Sequence, residues 1–415
     1  MSSTILLKLI ERILMKNKKF EILLVVQFPE KVSPCQRFRF ELYQDLLAEN
    51  GYRITTKPFL DKEGYAVIHQ YGFFFEKLLA LLKGFAGRIF LLFQLHKYDF
   101  ILLQREVAPI GPPIFEWLFV RVFNKKVIYD FDDAIWIKSV SEQNSLAAKL
   151  KYAKKVNSIC KWAYKVSGGN RFLCDYASQY NKNIVYNPTC VDTVKRYNVL
   201  ARHDVEKVTI AWTGSFSTLK YLALVEKALQ MLQEKYEFNI KIICNKKPSL
   251  KLKNVHYVEW SEDNEVSELA SCQIGLMPLT NDEWSEGKCG FKLIQYLALG
   301  IPAVSSAVGV NKIIIDEGIN GYFADTDTDW YHAIEKLMLD GKEREKMGKA
   351  GRQKIMTQYS LQSNENNFLT LFDGISEKAV TPFIPAISCS LHPVRAASLF
   401  PLSLLRRSDN VNVLH

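Results

Sequence analysis

No stretch of this chain reaches the roughly 18 uninterrupted apolar residues of a membrane-spanning helix, so none is expected. The seven histidines form no HxxxH or HExxH pattern, and the eight cysteines form no C-x-x-C. A zinc site and a metal cofactor are therefore not expected. The cysteines, at 35, 160, 174, 190, 244, 272, 289 and 389, are scattered, several of them within apolar runs. They read as small core residues in a reduced, cytoplasmic setting. Lys8, Glu11 and Arg12 interrupt the apolar run at the N-terminus, and no small-residue cleavage site follows, so a secretory leader is not expected. No internal repeat is evident.

What is present is a chain of 415 residues, 48% hydrophobic and 24% charged, long enough for two cores. Its charge is uneven. Residues 1–200 hold 30 Lys+Arg against 18 Asp+Glu, a surplus of +12, and the remainder holds 24 against 26, or −2, giving the net +10. The basic half fits an anionic partner, such as a membrane surface or a lipid-linked acceptor, or is simply a solvated basic face. Nucleic acid is not expected as a partner, because the lysines are spread over several helices and no nucleic-acid motif occurs.

Strands and helices alternate along the chain. Residues 4–17 show an amphipathic helical pattern. FEILLVVQ (20–27) reads as a buried strand, followed by a loop, a helix and a second strand, with Arg37 and Arg39 near the loop–helix junction. Arg37 is a candidate for a phosphate-bearing acceptor or an ordinary surface arginine. Residues 72–96 are the most apolar stretch. They read as an amphipathic helix, with breaks expected near Gly84 and Gly87, and either pack in the core or dock on an anionic membrane. YDFILLQRE (98–106) delivers Arg105 and Glu106 to a sheet edge, and KKVIYDFDDAIW (125–136) delivers Asp130, Asp132 and Asp133 to the same edge. The aspartates can stabilise positive charge, bind a cation or act as a base; equally, they can cap a helix. A basic helix over 144–163 and a strand–loop–helix–strand unit over 165–192, with Asn170 after two glycines, complete this half.

The second half opens with a strand, a Gly214 loop and a helix over 208–232. Ser215, Ser217 and Thr218 can cap that helix or meet phosphate oxygens. One glycine without G-x-G-x-x-G is a weak dinucleotide signal. The decisive stretch is EGKCGFKLIQYLALGIPAVSS (286–306), read as loop, helix, turn and strand. Lys288, Lys292 and Gln295 share one face of the expected helix 289–299, and the free N–H groups at its start, near Gly290 and Phe291, suit a phosphate. Solvated lysines on an ordinary helix are the plainer reading. Gly309 lies in the next strand-to-helix loop and can touch a phosphate through its N–H.

The 286–325 region, and more weakly 98–136, resembles the family 4 glycosyltransferases, retaining enzymes of the GT-B fold. That resemblance, over about 20–377, implies two doubly wound Rossmann-like domains facing a cleft. Residues 1–200 would form an acceptor-side domain and 201–360 a donor domain. Residues 361–378 would be a helix crossing back, and 379–415 reads as a disordered tail. It implies a nucleotide-sugar donor, a lipid-linked or saccharide acceptor, no cofactor, and a role in surface polysaccharide assembly on the inner face of the cell membrane. In the family a glutamate pair eight positions apart contacts the donor sugar and ribose. Here those positions hold Gly287 and Gln295, and Glu286 is the nearest carboxylate. The resemblance places donor binding at Gly214, Ser215, Glu286, Lys288, Gly290, Phe291, Lys292, Gln295 and Gly309. It places acceptor binding at Arg37, Arg105 and Glu106, and catalysis at Asp132, Asp133 and Lys292. The missing glutamates leave a rival expectation, a catalytically degenerate binder of nucleotide or glycan.

Overall fold

The computed structural model describes residues 20–68, 70–137, 152 and 154–372. The expectations for 4–17, for most of 144–153 and for the 379–415 tail fall outside them.

Two parallel six-stranded sheets carry the molecule. The first contains β1 (Phe20–Val26), β2 (Tyr52–Pro58), β3 (Phe100–Gln104), β4 (Lys126–Phe131), β5 (Lys165–Gly168) and β6 (Ile184–Tyr186), in the order β2-β1-β3-β4-β5-β6. The second contains β7 (Thr209–Gly214), β8 (Asn239–Cys244), β9 (Val255–Glu259), β10 (Ile274–Met277), β11 (Ala303–Ser305) and β12 (Gly321–Phe323), in the order β12-β11-β10-β7-β8-β9. Both are doubly wound, so both faces of each sheet are covered. That is why FEILLVV in β1 is apolar at successive positions: Leu23 and Val25 enter one core layer, and Ile22, Leu24 and Val26 the other. Order reverses at β1/β3 in the first sheet and at β7/β10 in the second, and ligands of such sheets gather beyond the carboxyl ends of those strands.

The helices that position the site are α1 (Pro34–Arg37), α2 (Phe74–Leu92), α3 (Ile114–Trp117), α4 (Arg171–Ser178), α5 (Ala223–Gln233), α6 (Glu265–Ala270), α7 (Phe291–Ala298), α8 (Gly341–Gln358) and α9 (Leu361–Leu369). After α8 the chain pairs with Val191 through Tyr359 and Leu361, and α9 then lies on the first sheet. There the Phe368 ring stacks on Tyr43 at 3.8 Å.

Two local expectations are revised. Helix α2 runs unbroken through Gly84 and Gly87, because Gly84 is needed for contact: a Cβ there would lie 2.6 Å from the Phe59 ring. Helix α7 begins at Phe291, so Lys288 precedes it and does not share its face. The seven cysteines within the described residues are unbridged.

Candidate active site between the two sheets

The site is built from strand ends. Leaving β3, Arg105 takes a left-handed φ of +58°, while its N–H donates to the Asp130 carbonyl at 2.8 Å. That turn sends the guanidinium along the sheet edge to the residues leaving β4. Arg105 Nη2 donates to Asp132 Oδ1 at 2.7 Å and to Asp133 Oδ2 at 2.5 Å, and Nε reaches Asp132 Oδ1 at 3.0 Å. From the second half, Lys288 Nζ donates to Asp133 Oδ1 at 2.7 Å. Burial alone would raise the Asp133 carboxyl, but Lys288 and Arg105 outweigh it and hold the group below its ordinary value. Burial likewise opposes the charge on Lys288, and Asp133 beside it raises its pKa instead.

The loop carrying Lys288 is pressed onto the first half at three points. Cys289 Sγ donates to the Asp132 carbonyl at 3.1 Å. Asn170 caps α4 by accepting from the Leu173 N–H, and its Nδ2 donates to the carbonyls of Glu286 at 3.2 Å and Lys288 at 2.9 Å. Gly287 packs on Ala134, whose Cβ and backbone N would lie 2.6 and 2.9 Å from a Cβ at 287. A glutamate therefore has no room at 287 in this arrangement. Gly290, with φ +67°, starts α7 in a conformation L side chains rarely adopt, and a Cβ there would meet Ile314 Cδ1 at 2.2 Å.

Lys292 stands in the first turn of α7, where the N–H groups have no carbonyl four residues back. Its Nζ lies 5.5 Å from the Trp212 ring centroid, and among the described residues it has no ion pair. Burial, then Lys288, push its pKa down to about 8, partly offset by Asp133. Trp212 is the last fully buried side chain of β7; its ring and Thr218 Oγ1 fill the space beside Gly214. Ser215 is exposed at that strand end and exchanges a hydrogen bond with Ser217 at 2.9 Å. Gly309 lies against the Glu286 carbonyl, so its loop borders the same place, and the Glu286 side chain has no ion pair among the described residues. Three cations, Arg105, Lys288 and Lys292, thus meet two carboxylates, Asp132 and Asp133. The surplus positive charge, beside the open start of α7, suits an anion such as a diphosphate.

Four expected site residues are placed elsewhere. Glu106 turns away from Arg105 and pairs with Lys155, because successive residues at a strand end point to opposite sides. Asp130 is fully buried and paired with Arg39, which also reaches Ser167 at 3.2 Å and the Asn187 carbonyl; it belongs to the core of the first half. Arg37, expected on the acceptor side, is 5% exposed, and its Nη2 donates to Glu265 Oε2 of α6 at 2.9 Å. Gln295, expected on a ribose, is 1% exposed, with its Nε2 donating to Tyr197 Oη at 2.7 Å and Glu265 Oε1 at 2.9 Å. Arg196 Nη2 and Trp260 Nε1 also donate to Glu265, so this buried carboxylate is saturated by protein donors. Phe291 sits between the halves, its ring 4.3 Å from that of Phe38. Glu265, Trp212 and Ala134 were not among the expected site residues. Each looks ordinary in its own segment and gains its role from a neighbour far along the chain.

Residues 201–354 match the sequence model of the family described as glycosyl transferases group 1. No curated protein matches the chain. Among solved structures it is similar to the sucrose-phosphate synthase of Thermosynechococcus elongatus, with TM-score 0.61 and 13% identity over 85% of this chain and 98% of that one. It is also similar to Anabaena HepE in complex with UDP-glucose, with TM-score 0.60 and 12% identity over 84% and 98%. A third is WaaG, a glycosyltransferase involved in lipopolysaccharide biosynthesis, with TM-score 0.58 and 14% identity over 86% and 100%. The fold is the two-domain α/β GT-B fold, and the family match over the second half supports a glycosyltransferase.

Proposed function

We propose that the chain is a retaining glycosyltransferase that moves a hexosyl-type sugar from a nucleoside diphosphate to a lipid-linked or saccharide acceptor, in the cytoplasm and in surface polysaccharide assembly. The observation that carries this is the surplus of cations at the start of α7. Lys292, with no ion pair among the described residues, and Lys288 flank the first N–H groups of the helix there. A leaving diphosphate gains negative charge as the glycosidic bond breaks, so fixed donors at that place act most strongly in the transition state. Asp133, held ionised, and Asp132 face the side where positive charge develops on the sugar ring. In this reading residues 201–360 hold the donor and residues 1–200 hold the acceptor, near Arg105. Residues 361–378 tie the second domain back to the first. The Anabaena neighbour was crystallised with UDP and UDP-glucose, which favours a nucleotide sugar as donor.

Gly287 and Gln295 favour a second reading, a binder without turnover. Position 287 has no space for a side chain, and the Gln295 amide is already engaged.

Thermal unfolding with UDP, GDP, ADP, CMP and dTDP, each with and without magnesium, tests the donor site. A ligand at about 100 times its Kd adds about 2.7 kcal/mol of stability. One nucleotide is expected to raise Tm for the native chain and much less for Lys292→Met. Since charged Lys292 is the binding form and its pKa lies at about 8, affinity is expected to fall as pH rises through that value and to stay flat in Lys292→Met. No shift with any nucleotide would remove the donor assignment. A shift without transfer to any acceptor would favour the binder.

A further inference from the structure

Helix α2 is apolar on both sides. Its inner side packs on the first sheet through Ala80, Gly84, Arg88 and Leu91, all buried. Arg88 fastens it there by donating to the carbonyls of Val26, Lys57 and Val107 at 2.8–3.0 Å. With that side fixed, the other side cannot turn inward. It presents Phe74, Phe75, Leu78, Leu79, Leu82, Ile89, Phe90 and Phe93 to solvent, with Phe75 79% and Phe93 72% exposed. Four of these are phenylalanines, and at about 150–250 Å² per ring they expose on the order of 600 Å² together. That alone reaches the upper end of the roughly 300–600 Å² of the largest apolar patch on an ordinary monomer. Ile114 and Trp117 of α3, with Val122 and Phe123 just beyond, are exposed too. Phe115 of α3 packs against Phe85 of α2, which makes the two helices neighbours.

We propose that this face of α2 and the 114–123 segment dock on the surface of a lipid bilayer carrying anionic head groups. Charge decides between occupants. Helix α2 carries one acid, Glu76, against Lys77 and Lys83 at its surface, Lys83 lying 3.6 Å from Glu63 and 3.8 Å from Asp61; Arg88 is buried and takes no part. Beyond its last turn stand Lys97 and Arg121, both exposed, and Lys125, whose Nζ donates to the Tyr98 carbonyl. The first 200 residues have a surplus of +12. Anionic head groups neutralise such a rim, whereas a second copy would bring the same cations to the contact. The helix lies in the interface and does not span it, because no described helix is long and apolar enough to cross a membrane. At 19 residues it covers about 28 Å of surface. The inference rests on the proposed activity only in naming a lipid-linked acceptor as what the docked first domain would meet; the docking itself does not require transfer.

The test is flotation of the full chain with vesicles of equimolar phosphatidylcholine and phosphatidylglycerol. Native protein is expected to float with them, and Leu82→Glu/Phe90→Glu to lose binding about tenfold or more. Both side chains are exposed, so the double variant should keep the native melting temperature and the native nucleotide response. Failure of docking is thereby distinguished from failure of the donor site. Three outcomes would overturn the proposal: native protein that does not float, a double variant that floats equally well, or a native dimer by sedimentation that the double variant turns into monomer.

Discussion

Two clusters of arginine and carboxylate join the halves of this molecule, and they differ in what else can reach them. In the first, Arg105, Asp132, Asp133 and Lys288 are between 15% and 29% exposed, and Lys292 beside them has no ion pair among the described residues. In the second, Glu265 is 2% exposed and takes hydrogen bonds from Arg37, Arg196, Gln295 and Trp260. Residue types are nearly the same, but the first cluster has spare positive charge and open space, so a ligand can exchange with its internal partners. The second has neither, and its groups are taken up in holding α1, α6, α7 and the segment at Arg196 and Tyr197 together. An ion pair is therefore a site or a clasp according to what surplus it leaves, not according to the residues that form it.

The largest effect is expected at the clasp. Glu265→Ala leaves buried Arg37 and part-buried Arg196 with Glu262 alone, at 3.7 and 3.3 Å, and should cost about 3 kcal/mol in denaturant unfolding. Gln295→Glu, which restores the carboxylate of the resembled family, should also destabilise, since it sets two carboxylates where Gln295 now donates to Glu265 at 2.9 Å. Adding Glu265→Gln should recover stability to within about 1 kcal/mol of native. If Gln295→Glu is neutral alone, the clasp is not the reason for glutamine at this position.

Next in size is the contact between the clusters. Gly287→Ala forces the loop away from Ala134, where both near atoms are rigid, and should cost about 1–3 kcal/mol. Because the same loop holds Lys288 against Asp133, transfer should fall as well. An unchanged melting temperature would show that the two halves separate here without penalty.

The smallest effect is at the open cluster. Asp133→Asn should cost about 1 kcal/mol near neutral pH, because the pairs are part-exposed. Its signature lies in the pH dependence. The native carboxyl is held below its ordinary 3.8, so it stabilises the fold above that value and the contribution is lost as pH falls through its lowered one. The variant should lack this part of the acid loss, which unfolding curves from pH 5 downward would measure. A clasp-sized loss at pH 7 would remove the distinction between the clusters.

Much of the site was legible because strand ends are legible. Apolar runs placed β3 and β4, and in a doubly wound sheet their exits must gather at one edge. Arg105, Asp132 and Asp133 were therefore expected at one edge, where the structure brings them into contact. The departures at 287 and 295 were also visible, but not their cause. Nothing within 286–306 says that Ala134 occupies the space beside Gly287, or that Glu265 already supplies the negative charge next to Gln295. Arg37 was misplaced for the same reason. Its segment ends at the correct edge, but the second half closes over it.

What the sequence by itself determined is the alternation of strands and helices, the two-sheet architecture and the strand exits that carry charge, since periodicity and burial are local properties of the chain. Only the tertiary structure decided which charges remain available. Arg37, Glu106, Asp130 and Gln295 found partners 30 or more residues away, Lys292 has no ion pair among the described residues, and α2, fixed by Arg88 on one side, kept its other apolar side in solvent. Pairing and coverage depend on which segments meet, and that is a property of the packed molecule.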